Sequence, residues 1–233
     1  MESLYGLISF GAVYFASIAL LINILMYRSI RKIAQPDKLL DVIENGRTVL
    51  AEGLDYAERT RWAESHGFVP DMIVDFRGAL GGRLMTFAVW RNHALNTRLS
   101  TRQIRKKIIC HLITDMESGA VLSTCNSREA LILPTAPGCF LQAFASVGLD
   151  ELFRRHQEGL AYLRQSRGIV PIPRMESTDA LIRESIRYQI AYVRTLPLWP
   201  LRGAWWQFIR QYWLNNKTIA EQYGLAPANA AGS

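Results

Sequence analysis

Metal-ligating and catalytic signatures are what this sequence most lacks. Its three cysteines, Cys110, Cys125 and Cys139, are an odd number with no CxxC spacing. That excludes a zinc ribbon and a secreted disulfide framework, and it suits a reducing compartment. The four histidines, His66, His93, His111 and His156, form neither HxxxH nor HExxH, so no helix offers paired imidazoles to a metal. The glycine-rich stretch 78–82 lacks the Gly-Lys-Ser/Thr of a phosphate loop, and no GxSxG elbow occurs. Asp71 and Asp75 would share one strand face yet stand roughly 13 Å apart, too far for a retaining carboxylate pair. Cys110 and His111 are neighbours in a predicted strand, so they face opposite sides and form no dyad. These gaps disfavour an enzyme and lead us to expect no cofactor and no metal.

Charge is also missing, over one long stretch. Residues 4–27 carry no charged side chain. At about 1.5 Å per helical residue the stretch spans roughly 36 Å, enough to cross a hydrocarbon core of about 30 Å with some tilt. In lipid each backbone amide must be satisfied within the segment, so a helix is expected. A cleaved signal peptide would want a basic start and a small-residue cleavage site. Here Glu2 precedes the run, no Lys or Arg does, and bulky basic residues follow. Arg28, Arg31, Lys32 and Lys38 lie just past it and predict a cytoplasmic body with the N-terminus outside. Asn23 is the one strongly polar side chain in the inner half. It either meets water and backbone near the interface or bonds a helix of a partner subunit.

What is present after the anchor is a body of about 200 residues, enough for a real core. The chain carries a formal charge of +7, which suits a surface near anionic lipid or nucleic acid. Apolar spacing predicts a helix over 37–52, though Asn45-Gly46 is a potential break, and a second helix over 54–66 closed by Gly67. Between 68 and 144 short runs rich in Val, Ile, Phe and Thr alternate with turn residues. They predict strands at 72–76, 84–91, 107–115, 120–124, 130–133 and 140–144. Glu117-Ser118-Gly119 reads as a hairpin turn and 78–82 as another. The connections are too short for crossover helices, so the sheet is expected to be mainly antiparallel.

Helices return after Val147. Leu149, Leu152, Phe153, His156, Leu160 and Leu163 form one stripe, ended by Gly168. On that apolar stripe His156 reads as a satisfied core residue. A proline-bearing linker follows, and Ser177, Thr178 and Asp179 offer an N-cap for a helix to about Thr195. The expected organisation is an anchor at 1–27, a basic juxtamembrane segment at 28–36, and a cytoplasmic α+β domain at 37–195. An aromatic amphipathic segment at 196–225 and a flexible tail at 226–233 complete it. The fold class is α+β: one transmembrane helix, then a mainly antiparallel sheet covered by helices.

Two constellations stand out. Four of the six tryptophans lie between Trp199 and Trp213. Trp205, Trp206, Ile209, Tyr212 and Trp213 fall at helical spacing on one face, fit to meet a partner protein, a membrane surface or the chain's own sheet. The basic run Arg98, Arg102, Arg105, Lys106 and Lys107 has no acidic residue from 92 to 114. It reads as a solvated loop or strand edge, or as a grip on anionic lipid or an acidic partner. Without interleaved stacking aromatics or a known module, no nucleic acid is expected.

The reading is a single-pass accessory subunit, in a scaffold, assembly or stabilising role, of a larger inner-membrane complex. Its expected partners are other integral membrane subunits and anionic lipid headgroups. Asn23, Arg28, Arg31, Lys32 and Trp199 join the aromatic face as the expected interface. Two alternatives stay open. One is a membrane-tethered enzyme, which a polar cleft holding several of His66, Asp71, Asp75, His93 and His111 would favour. The other is a membrane-anchored adaptor for an anionic ligand or nucleic acid.

Overall fold

A computed structural model describes residues 2–43, 54–77, 84–104 and 107–224. The first element, α1, is the long helix Glu2–Ile33. Within Phe10–Ile33 its most apolar 18-residue window has a mean hydropathy of 1.9, and the helix is long and apolar enough to cross a membrane. Ser17 and Ser29 are satisfied within the helix. The Ser17 hydroxyl donates to the Val13 carbonyl and the Ser29 hydroxyl to the Leu25 carbonyl, each at 2.9 Å.

The body is α+β, with one seven-stranded sheet in plain sequence order. The strands are β1 (Leu40–Val42), β2 (Val69–Arg77), β3 (Leu84–Asn92), β4 (Thr97–Ile104), β5 (Lys107–Asp115), β6 (Val121–Cys125) and β7 (Cys139–Ala143). Neighbours from β1 to β6 are antiparallel, and β7 lies parallel to β6. A turn at Glu117–Gly119 joins β5 to β6, with Ser118 and Gly119 at positive φ, where a glycine costs little. Helix α2 (Leu54–Ser65) ends at Gly67, also at positive φ. Helix α3 (Leu149–Arg167) ends at left-handed Gly168, and α4 (Thr178–Thr195) is capped by the Ser177 side chain. After a short 3-10 turn at Trp199–Leu201, a helix over 203–214, here α5, contains a π-turn at Trp206–Arg210. A last helix, α6 (Ile219–Tyr223), opens on a capping box of Thr218 and Glu221.

The sheet's two faces differ. On one, Ala88, Trp90, Leu99, Cys110 and Leu112 pack with Ala63, Phe68 and Leu152. Leu122 and Phe140 pack there with Leu160, Leu163 and Ile219. This is a close-packed core under α2, α3 and α6. A polar ladder runs through it. The fully buried His156 has its Nε2 2.8 Å from the Thr114 hydroxyl and its Nδ1 2.8 Å from the Thr124 hydroxyl. Thr114 also bonds Thr97, and Gln142 donates to Thr124 at 3.0 Å. With both ring nitrogens engaged, His156 is the satisfied core residue its stripe predicted. The other face looks toward α4 and the inner end of α1, where Ile30 is buried with Ile190, Val193 and Trp206.

Three expectations fail here. The helix over 37–52 is instead a 3-10 turn at Pro36–Lys38 followed by edge strand β1, with 44–52 outside the described residues. Pairing decides this. Leu40 faces Phe76 and Val42 faces Val74, while Arg77 reaches Asp41 at 2.8 Å. Residues 130–133 hold no strand. Ser127 caps a 3-10 turn at Arg128–Leu131, and the stretch ends at Pro134, which has no N–H to donate to a ladder. Finally, 97–104 is not a solvated loop or an edge but β4, between β3 and β5 in the middle of the sheet. The expected turn at 78–82 and tail at 226–233 lie outside the described residues.

Candidate functional site

The first feature is the joint between α1 and α5. The Asn23 Oδ1 accepts a hydrogen bond from the Ala204 backbone N–H at 2.9 Å, which satisfies a donor left open in the first turn of α5. Gly203 makes the approach possible. A Cβ placed there would sit 2.8 Å from the Met26 Cβ. Tyr27 stacks on Trp199 with ring centres 5.4 Å apart. Below the joint, Asp37 takes both Arg187 and Arg183, whose guanidinium also donates to the Leu40 carbonyl at 2.8 Å. Those arginines hold the Asp37 carboxyl below the usual carboxylate range. The long helix therefore enters the body as a packed element. Gly203→Val is expected to lower stability by about 1–3 kcal/mol through overpacking at this joint. A thermal melt of the protein in lipid nanodiscs measures it, and an unchanged midpoint would contradict the close approach.

The aromatic helix is turned differently from its predicted face. Trp206 is 1% exposed and packs inward, whereas Trp205, Ile209, Tyr212 and Trp213 remain exposed. Phe208, absent from the expected set, is exposed with them. The π-turn is the cause: its wider turn brings Trp206 and Gln211, five residues apart, onto the same buried side. Arg210 also points inward, donating to the Leu131 carbonyl and, at 2.9 Å, to that of Leu133. Basic groups rim the exposed rings. Arg128 lies 4.4 Å over Tyr212, Lys217 lies 5.2 Å over Trp213, and Arg202 is exposed nearby. Arg28, Arg31 and Lys32 are exposed on α1.

The second feature is a cavity between the sheet and α4. Two adjoining compartments of about 300 and 450 Å³ share Phe87, Ser100, Arg102, His111 and Ile186 as walls. Register explains which strand residues face it. Phe87 pairs with Arg102, and Ser100 with His111, and alternation sends these side chains to the α4 side. Cys110 accordingly faces the opposite core, as its adjacency to His111 required. Burial, with Arg102 and Arg98 nearby, pushes the His111 imidazole down to about 4. Arg98 bonds Asp115 at 2.5 Å.

The basic run is thus divided. Arg98 and Arg102 turn inward, Lys107 is exposed at the start of β5, and Arg105 and Lys106 lie outside the described residues. The polar residues considered for a catalytic cleft are not brought together. Asp71 accepts from the Thr178 hydroxyl, and Asp75 from the Thr86 hydroxyl at 2.6 Å. His66 stacks on Trp62, and His93 is exposed. Among the described residues no group of three or more His, Cys, Asp or Glu is placed to hold a metal ion. Sequence reasoning missed the cavity, although two arginines four apart in an alternating strand were its available signal. Set against known proteins, the chain matches no family model, no curated protein and no solved structure, so its own geometry has to carry any functional reading.

Proposed function

We propose that the protein is a single-pass accessory subunit of a larger inner-membrane complex, in a scaffold, assembly or stabilising role. In this reading α1 spans the bilayer with the N-terminus outside, and the α+β body lies on the cytoplasmic leaflet. The observation that supports it is the joint at Asn23 and Ala204. It fixes the exposed rings of α5 to the same helix that exposes Phe10, Phe15, Leu20 and Leu21. Phe208 is 52% exposed, Tyr212 53% and Trp213 65%. Large apolar side chains exposed together in this number fit a membrane or protein contact. The basic rim of Arg128, Arg202 and Lys217 around aromatic rings fits an in-plane helix among anionic headgroups. The exposed upper part of α1 is then the surface left for other integral subunits.

Alkaline carbonate is expected to leave the intact chain in the membrane pellet, and protease added from the cytoplasmic side should digest the body. Gentle extraction should bring other integral membrane subunits with it, identified by mass spectrometry. Release by carbonate would overturn the anchor, and migration as a lone monomer would overturn the accessory role.

A second reading, a membrane-anchored adaptor for an anionic ligand, is favoured by the cavity with Arg98, Arg102 and His111 in its walls. Nucleic acid fits less well, because two of the expected basic side chains line an interior space rather than a surface where a phosphate backbone could run.

A further inference from the structure

We propose that the cavity between the sheet and α4 binds a single-chain amphiphile, its carboxylate held by Arg102 and its hydrocarbon chain along the apolar walls. This inference does not rest on the accessory-subunit reading.

Unpartnered polar atoms gather on the α4 side of the sheet, whereas the core on the other side leaves the Trp90 Nε1 open. On the α3 side the buried histidine has both ring nitrogens bonded. On the α4 side the His111 Nε2, the Arg102 Nε and the Arg98 Nε are all buried with no hydrogen-bond partner among the described residues. Buried polar groups are normally satisfied, and orphans call for a missing partner. Charge points the same way. Arg98 has Asp115, but among the described residues no carboxylate pairs with Arg102. The Arg102 guanidinium lies 5.2 Å over the Phe87 ring. A planar fork with open donors, in an apolar wall, suits a carboxylate that accepts two bonds. The neutral His111 imidazole and the Ser100 hydroxyl add donors beside it.

The remaining walls select the rest of the ligand. Val74, Phe76, Val89, Ile113, Ile182 and Ile186 surround the smaller compartment with hydrocarbon. Volumes of about 300 and 450 Å³ fall in the range of small-molecule sites, which are mostly apolar with a few placed polar groups. Ile33 and Leu40, just beyond the apolar stretch of α1, also line this compartment. The acid could therefore reach the site from the bilayer or from water, and the chemistry recognised is the same.

The test uses the full chain in nanodiscs, with empty nanodiscs subtracting partition into lipid. Decanoate added from water, or palmitate preloaded in the bilayer, is expected to bind saturably at one site per chain. Loading by palmitate alone identifies the membrane as the source, and loading by decanoate alone a soluble pool. Either supports the site. Along the C8 to C12 acids, affinity should rise about fourfold per methylene until the cavity is full. Decanol, which lacks the charge, should not saturate. Arg102→Met should weaken binding about 10- to 100-fold, while its thermal midpoint stays equal or rises, because an uncompensated charge leaves an apolar wall. No saturable binding of either acid would overturn the proposal. So would equal affinity for Arg102→Met, or a clear drop in its midpoint, which would make Arg102 a structural residue. If that variant fails to fold, Ile182→Trp, which fills the cavity without touching a charge, should abolish binding, and retained binding would overturn the assignment.

Discussion

Asp115→Ala is expected to lower the unfolding free energy by about 3–5 kcal/mol, among the largest effects of any single substitution in this chain. Asp115 and Arg98 stand at the ends of paired strands, with their side chains only 11% and 8% exposed. Burial pulls the Arg98 guanidinium down, and Asp115 is the foremost group opposing that pull, with Arg91 and Arg174 adding positive charge close by. Removing the carboxylate leaves a buried guanidinium among like charges, with only the weaker influence of Asp71 to oppose desolvation. The double variant Arg98→Met with Asp115→Leu should recover most of the loss, since an apolar pair of similar volume removes both charges at once. Thermal unfolding of the full chain in nanodiscs measures both. A loss below about 1 kcal/mol for Asp115→Ala would show that water or another group compensates Arg98.

Acid should act through His156 with comparable force. Its folded pKa is pushed down to about 3, first by burial and then by the nearby His111. The unfolded imidazole titrates near 6.5. Below that pH the unfolded chain binds a proton the folded chain refuses, so stability is complete above pH 6.5 and falls as pH drops. The decline runs at about 1.4 kcal/mol per pH unit and levels off near the folded pKa. From pH 6.5 to 5 His156 alone should remove about 2 kcal/mol. His111, held near 4, acts with the same sign. His156→Gln should lower stability at pH 7, because Thr114 and Thr124 lose a matched partner, yet flatten the decline between pH 6.5 and 5. A decline of unchanged steepness in that variant would assign the acid sensitivity to other groups.

The parts of the fold that were legible in the sequence are those where one physical rule acts locally. The stripe from Leu149 to Leu163 fixed α3, and Gly168 fixed its end. Strand β5 has the bounds that its β-branched run of Ile108, Ile109, Ile113 and Thr114 predicts. What escaped was set by distant partners. Strand β4 puts arginines where alternation usually puts apolar side chains, because that face borders a cavity. Strand β1 is three residues long and exists only through β2. Asn23 meets backbone, one of the two kinds of partner its position allows, but the local sequence does not say which backbone. Its partner is a backbone amide of this same chain, 181 residues away. No local signal marks the π-turn that sent Trp206 inward and Phe208 outward. The candidate site was legible as residues and not as a place: Arg98 and Arg102 were singled out, but only the strand register shows that they share a cavity wall with His111.

The central claim is that α1 and the exposed face of α5 meet the same bilayer, and depth-resolved quenching tests it most directly. Single-tryptophan variants retaining Trp205, Trp213 or the fully buried Trp90 would be placed in bilayers of lipids brominated at successive acyl positions. The account predicts strong quenching of Trp205 and Trp213 by bromines nearest the headgroups, weaker quenching by deeper ones, and none for Trp90. Trp205 and Trp213 left as unquenched as Trp90 at every depth would contradict it.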